Sequence, residues 1–501
     1  MTWAIRGLIE GFYGPPWTWD QRIDVARWCA TRGMTHYVYA PKSDPLHRDR
    51  WREPYGSDQL DGFARLLSEG GLTVGFAISP GLDIDHSSSD DRRALFAKVE
   101  QAVDLGVGLV VLALDDIAFS PDAGTAHAAL TTDLVDHLAG RAEVVLVPTD
   151  YVGTSGSVYL DALVSGLPDD VAVAWTGPAV VNDTITAADA RLRSEALAGR
   201  PPLLWDNYPV NDALMADRLF LGPLWGREPA LADACSGYLA NPMVQPHCSK
   251  LPLASIAAFL RGEDPLDAWV GEAGALRVLA EACDAAVPQG LVSAFVGQAD
   301  TPGWAFAAQP LVEWLLAAST CDAAGLEGEA DDWLRQTHRE ATLGLSALRL
   351  LQATRPVVLV DDSGSGHLIP PQPDVVLAEA FTIASRWPRV RRSAHTVMGT
   401  RCSFRPLMTT TPAGGWRILR AAIEENTNAI DALVRLALDA LDGQPEPPGS
   451  VRLRADGEPV EVADDGTFRV RPGADVVASC GSAVTAVRAP AGQPVPPGPA
   501  R

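Results

Sequence analysis

Two adjacent carboxylates, Asp115 and Asp116, close an apolar run, Val110-Val111-Leu112-Ala113-Leu114, that reads as a buried parallel strand. An ionised carboxylate is costly to bury unless it is paired or hydrogen-bonded, so two in succession at such a strand end need a reason. Held in unequal environments, one can stay ionised while the other keeps a proton, which is what acid–base chemistry at neutral pH requires. The chain also contains Asp90-Asp91, Asp169-Asp170, Asp331-Asp332, Asp361-Asp362 and Asp464-Asp465. Those pairs fall mainly in polar, helix-starting or turn-like contexts, where capping and solvation account for them. Position, not the dipeptide, sets Asp115-Asp116 apart.

The elements that must carry this pair are legible in the first half of the chain. Short apolar runs alternate with amphipathic stretches, the runs being Ala4-Gly11, His36-Pro41, Thr73-Ile78, Gly108-Leu114, Glu143-Pro148, Val171-Trp175, Pro202-Trp205 and Gly237-Ala240. Helical spacing recurs between them, as in Asp20-Ala30, Leu60-Ser68, Arg92-Leu105, Thr125-Leu138 and Ala187-Ala198. Alternation of this kind implies parallel strands joined by right-handed crossovers. Eight such units match the size and count of a TIM (β/α)8 barrel, an α/β fold. A doubly wound sheet competes with it, but the first strand is followed by no glycine-rich nucleotide turn.

In a barrel the chemistry lies at the C-terminal strand ends. Read in order, those ends carry Glu10-Gly11-Phe12-Tyr13-Gly14, Lys42, Asp115-Asp116, Thr149-Asp150-Tyr151, Trp175-Thr176, Trp205-Asp206-Asn207 with Asn211-Asp212, and Asn241. Each has a plain structural explanation when taken singly. Together they place carboxylates, amides, a lysine, a tyrosine and two tryptophans on one rim. Acids and amides bind hydroxyls, and indole faces stack on the apolar faces of a sugar ring, so the set reads as a carbohydrate pocket. The nine histidines have no metal-ligand spacing. Ser363-Gly364-Ser365-Gly366 lacks the strand-to-helix setting of a phosphate loop and reads as a flexible loop.

Beyond about Asp264 helical periodicity dominates, through Asp267-Ala286, Pro310-Ala318, Asp332-Leu351, Asp374-Arg386 and Gly415-Leu441. The expected organisation is a barrel over 1–262, an α-helical bundle over 263–444, and a last segment over 445–501. That segment opens with a Pro445–Gly449 linker and holds a small C-terminal β appendage, with short strands including Val460-Val462. A Pro/Gly tail from Ala489 reads as disordered. A net charge of −23 argues against a nucleic-acid surface. No apolar run approaches the ~20 residues of a membrane helix, and there is no signal-peptide core. Seven scattered cysteines fit a reducing compartment, so the expected location is cytoplasmic.

The segment Arg6-Gly7-Leu8-Ile9-Glu10-Gly11-Phe12-Tyr13-Gly14-Pro15-Pro16-Trp17 resembles the opening signature of the O-GlcNAcase family, the β-N-acetylglucosaminidases of glycoside hydrolase family 84. Tyr37-Val38-Tyr39-Ala40-Pro41-Lys42, Ala77-Ile78-Ser79-Pro80-Gly81, Leu114-Asp115-Asp116-Ile117, Trp175-Thr176-Gly177-Pro178 and Trp205-Asp206-Asn207 continue the likeness in order over residues 3–250.

The resemblance implies a retaining exo-glycosidase in which the 2-acetamido oxygen of the substrate attacks its own anomeric carbon, giving an oxazoline. By that likeness Asp115 orients the acetamido N–H, while Asp116 protonates the leaving oxygen and then activates water. It also implies that Gly11, Lys42, Asn207, Asp212 and Asn241 bind sugar hydroxyls. Tyr151, Thr176, Val180 and Trp205 would line the acetyl pocket or its edge, with Tyr151 reaching the developing oxazoline. No cofactor or metal is expected. The implied partner is terminal β-linked GlcNAc on glycans or glycosylated protein, without nucleic acid or membrane, and a homodimer stays open. Two departures stand out: Val147 where relatives often place Cys, and Ser155 where an aromatic can occur near the aglycone. A glycosidase of the same mechanism acting on another N-acetylhexosamine glycan such as hyaluronan, or a catalytically silent GlcNAc-binding protein, are the competing readings.

Overall fold

The computed structural model describes residues 3–299, 301, 304–399, 407–410, 416–419, 428–442, 451–480 and 483–490. The chain divides into two compact units, Met1–Gly274 with Ala324–Ala330, and Ala275–Ala323 with Asp331–Arg501.

The first unit is a closed barrel of eight parallel strands in sequence order. They are β1 (Ile5–Glu10), β2 (His36–Tyr39), β3 (Thr73–Ile78), β4 (Leu109–Ala113), β5 (Glu143–Val147), β6 (Ala172–Trp175), β7 (Leu203–Asp206) and β8 (Gly237–Ala240). The ring closes where Ile5–Leu8 pair with Gly237–Ala240. The eight-unit pattern in the sequence is therefore the fold, with strand bounds within one or two residues of those expected. Helices α1 (Trp19–Ala30), α2 (Ser57–Glu69), α3 (Ser89–Val103), α4 (Ala123–Leu138), α5 (Val158–Gly166), α6 (Ala187–Ala196), α7 (Pro246–Arg261) and α8 (Pro265–Ala273) belong to the same unit. Side chains that accept from the first turn start several of them. Thr18 and Thr186 form reciprocal capping boxes with Gln21 and Asp189, and Ser88 and Ser157 cap α3 and α5. Between β7 and β8 stand only the short 3₁₀ turns Ala213–Met215 and Pro229–Asp233.

Strand parity divides the barrel core cleanly. One cluster, including Ile5, Ile9, Val38, Ala40, Ala77, Val111, Ala113, Val145, Val147, Ala174, Leu203, Trp205 and Leu239, faces inward. The alternate residues, such as Leu8, Tyr37, Phe76, Val110, Leu112, Leu146, Val173, Leu204 and Tyr238, pack outward among the helices.

The second unit holds α9 (Arg277–Asp284), α10 (Ala286–Val296), α11 (Trp304–Ala318), α12 (Asp331–Ala353), α13 (Pro373–Arg391) and α14 (Ala429–Asp442). Its strands are β9 (Val357–Val360), β10 (Ser365–Ile369), β11 (Leu407–Thr410), β12 (Trp416–Leu419), β13 (Arg452–Ala455), β14 (Glu458–Pro459), β15 (Thr467–Arg469), β16 (Asp475–Cys480) and β17 (Ala483–Arg488).

Several local expectations are corrected here. Gly415-Leu441 is not one helix, because Trp416–Leu419 pair antiparallel with Leu407–Thr410 and the helix begins at Ala429. Ser365 and Gly366 are not loop but the start of β10, bonded to β9 and β15, with Gly364 turning at φ 76°. One sheet thus joins strands of the helical region to the C-terminal segment. Val460-Val462 is irregular; the partner of β13 there is the short β14. The Pro445–Gly449 linker lies outside the described residues, as does the tail beyond Pro490. Ala489 itself is ordered and buried, its N–H donating to the Ala474 carbonyl at 2.8 Å.

Candidate active site

The C-terminal ends of the barrel strands enclose a cavity of about 400 Å³. All of Gly11, Lys42, Asp115, Asp116, Tyr151, Thr176, Val180, Trp205, Asn207, Asp212 and Asn241 line it. Most arrive by continuing the inward parity of their strands: Gly11 after Ile9, Lys42 after Ala40, Asp115 after Ala113, Thr176 after Ala174, Asn207 after Trp205, Asn241 after Leu239.

Asp116 breaks that parity. A strand would send it outward, opposite to Asp115, yet it lines the same cavity because its backbone turns left-handed, at φ 53°. Asp tolerates this region better than most residues. The two carboxylates consequently meet different surroundings. Asp115 is buried, and its Oδ2 accepts from Lys42 Nζ at 2.6 Å, while Oδ1 has no hydrogen-bond partner. Burial alone would raise its pKa, but the Lys42 ammonium, helped by Arg48, overrides this and holds it below the usual carboxylate value. Asp116 is partly open. Tyr13 donates its hydroxyl to Oδ2 at 2.8 Å and Tyr151 donates to Oδ1 at 3.0 Å. Lys42 Nζ stands 3.8 Å from Asp116 Oδ2. Both phenols are pushed to pKa values well above normal, mainly by burial and by the neighbouring Asp116, so they remain neutral donors.

Opposite the carboxylates runs a chain of amides. Gly11 N–H donates to Asn241 Oδ1 at 3.2 Å, Asn241 Nδ2 to Asn207 Oδ1 at 3.0 Å, and Asn207 Nδ2 to the Val180 carbonyl at 2.8 Å. Trp205 Nε1 joins at Asn207 Oδ1, 3.0 Å away. The network fixes which edge of each amide is free to meet a ligand. Asp212 accepts from Tyr13 N–H at 2.7 Å, and burial raises its pKa. Val147 lines the cavity floor, whereas Ser155 is exposed and outside it.

Four of the rim candidates named from the sequence, Glu10, Asp206, Trp175 and Asp150, face elsewhere. Glu10 is fully buried among the helices and holds Arg22 in a two-point ion pair at 2.8 and 2.9 Å, with Tyr37 OH at 2.6 Å. Asp206 does the same with Arg227 at 2.7 and 2.8 Å and Tyr238 OH at 2.5 Å. Trp175 is buried in the outer layer, its Nε1 donating to the Gly153 carbonyl at 2.8 Å. Asp150 is taken up by Ser157 and Arg193. Among the described residues no cluster of three or more His, Cys, Asp or Glu side chains could hold a metal ion.

A family model described as beta-N-acetylglucosaminidase matches residues 6–288, more than half of the chain. The chain belongs to this family. Protein O-GlcNAcase of Rattus norvegicus and that of Mus musculus are each 33% identical to it over 273 residues, 51% of this chain and 30% of the relative. The matched stretch thus spans under a third of those relatives' length. Among solved structures, a mutant of the Thermobaculum terrenum O-GlcNAc hydrolase superposes with a TM-score of 0.72 at 24% identity. That match covers 88% of this chain and 95% of that one, a likeness of fold.

In this β-N-acetylglucosaminidase-family chain the cavity also takes Tyr13, which stands in the strand-end series but had been given no role, and residues that strand-end spacing does not single out. Val181, Val210, Ala213, Leu214 and Met215 come from the long β6–α6 and β7–β8 connections. Those connections have no periodicity from which to read a direction.

Proposed function

We propose that the chain is a retaining exo-β-N-acetylglucosaminidase that cleaves terminal β-linked GlcNAc by substrate assistance through an oxazoline. What carries this reading is the pairing at one cavity of Asp115, buried against Lys42, with Asp116, half-open between two phenols. An ionised Asp115 can take the acetamido N–H and sharpen the amide oxygen as nucleophile. Asp116, beside the mouth, suits proton delivery to the leaving oxygen and then proton removal from water. The amide chain and Asp212 are set to meet hydroxyls, and Trp205 with Tyr151 to enclose the acetyl group. A cavity of about 400 Å³ suits a single sugar ring rather than a polymer threaded through. No enzyme nucleophile is required, so the two-carboxylate spacing rule for glycosidases does not apply.

Protein-linked GlcNAc is included as a substrate on the family likeness. A reducing, cytoplasmic setting accords with the free cysteines Cys29, Cys235, Cys248, Cys283 and Cys321. Among the described residues no helix is long and apolar enough to cross a membrane.

The test is a panel of GlcNAc, GalNAc and polymeric glycosides, with the anomer of the first-formed product followed by NMR. Release of β-GlcNAc supports the proposal; α-product, or turnover only on polymer, overturns it. Asp115→Asn and Asp116→Asn should each lower turnover on an aryl β-GlcNAc by at least ~100-fold. Near-normal rates in both would remove the assignment.

A further inference from the structure

Asp116 reaches the cavity only because its backbone is left-handed at φ 53°, a conformation that is unfavourable for a non-glycine residue and persists where its surroundings impose it. The structure provides that constraint. Arg48, in the loop after β2, donates from Nη2 to the backbone carbonyl of Asp116 at 2.9 Å, and from Nη1 to Ser79 Oγ at 3.5 Å. Arg48 is buried yet does not line the cavity. Its own position is latched by the preceding residue: His47 donates from Nδ1 to the Ala77 carbonyl at 2.9 Å and accepts Ser79 N–H at its carbonyl at 3.0 Å. On the other flank, Thr149 Oγ1 donates to the Leu114 carbonyl at 2.7 Å, and Leu114 N–H to the Val147 carbonyl at 2.8 Å. The chain is thereby gripped immediately before Asp115 and at Asp116.

We infer that Arg48 is a positioning residue: by holding the Asp116 carbonyl it fixes the left-handed turn that aims this carboxyl at the leaving oxygen. Ring binding is left to the cavity residues. The inference rests on the acid–base role given to Asp116 above. Loss of Arg48 should therefore damage proton delivery and leave the grip on the sugar unchanged.

Acid assistance matters most for poor leaving groups and little for good ones, so a leaving-group series isolates the effect. Arg48→Met should lower kcat/KM on phenyl β-GlcNAc by at least ~10-fold and on the dinitrophenyl glycoside by far less, with KM on the phenyl glycoside changed under ~3-fold. Arg48→Lys, which keeps the charge and one donor, should recover part of the loss and serves alone if the Met variant does not fold. Equal losses across leaving groups, or a raised KM with kcat intact, would overturn the inference. If wild-type protein releases no GlcNAc from either glycoside, or Asp116→Asn shows no dependence on the leaving group, the parent assignment fails instead.

Discussion

The Lys42 ammonium sits 2.6 Å from Asp115 Oδ2, and both side chains are buried. Neither charge is tolerable there without the other. Removing one partner of a buried pair leaves an uncompensated charge and costs roughly 3–5 kcal/mol. Lys42→Met should therefore lower the denaturant midpoint markedly. It should also move the acid limb of the kcat/KM profile. Asp115 is held below the ordinary carboxylate value against burial, chiefly by Lys42; without it, burial meets only the weaker pull of Arg48 and the backbone, and the carboxyl stays protonated to higher pH. The limb shifts upward, and an unshifted limb would show that Asp115 is not the group titrating.

Gly11 is specified by a close approach. A Cβ at this position would overlap the ring of Trp205, whose Nε1 is bonded to Asn207. Gly11→Ala should displace the indole and, through Asn207 and Asn241, the amide chain. The expected outcome is a loss of at least ~10-fold in kcat/KM for the aryl glycoside, in a protein whose circular dichroism is unchanged. Unaltered kinetics would remove Trp205 from the ligand-contacting set.

Asp206 stands one residue from Trp205 and belongs to stability, not chemistry. Its carboxylate neutralises Arg227 in a site closed to water. Asp206→Asn should destabilise the barrel by about 3 kcal/mol or more. Any folded fraction, counted by active-site titration, should turn over at the wild-type rate.

His127 carries a pH prediction. His127 Nδ1 lies 2.8 Å from the Tyr159 hydroxyl, which also accepts Thr149 N–H at 3.1 Å. Burial, with a smaller contribution from the nearby His86, lowers the His127 pKa to about 4. The unfolded chain takes up this proton near the ordinary value of roughly 6.5. Stability is thus complete above that pH and is lost as pH falls from there toward about 4. Wild-type Tm should drop across this window, and His127→Gln should flatten the drop. Parallel curves would assign the acid sensitivity to other groups.

What the amino-acid sequence determined is the barrel and most of its mouth. Apolar runs alternating with helical spacing leave parallel strands few other arrangements, and period-two side-chain alternation carries the inward face on to Gly11, Lys42, Asp115, Thr176, Asn207 and Asn241. The same alternation marks Glu10, Trp175 and Asp206 as outward-facing, a signal present in the chain that simple proximity to a strand end obscures. The strand Trp416–Leu419 was hidden because it pairs with another short strand and its four residues open a stretch whose spacing reads as helical. Only the tertiary structure decided that both adjacent aspartates share one cavity. Neighbouring strand residues point apart, and the left-handed turn that reverses this at Asp116 is imposed by Arg48, 68 residues earlier in the chain and beyond the reach of any local pattern.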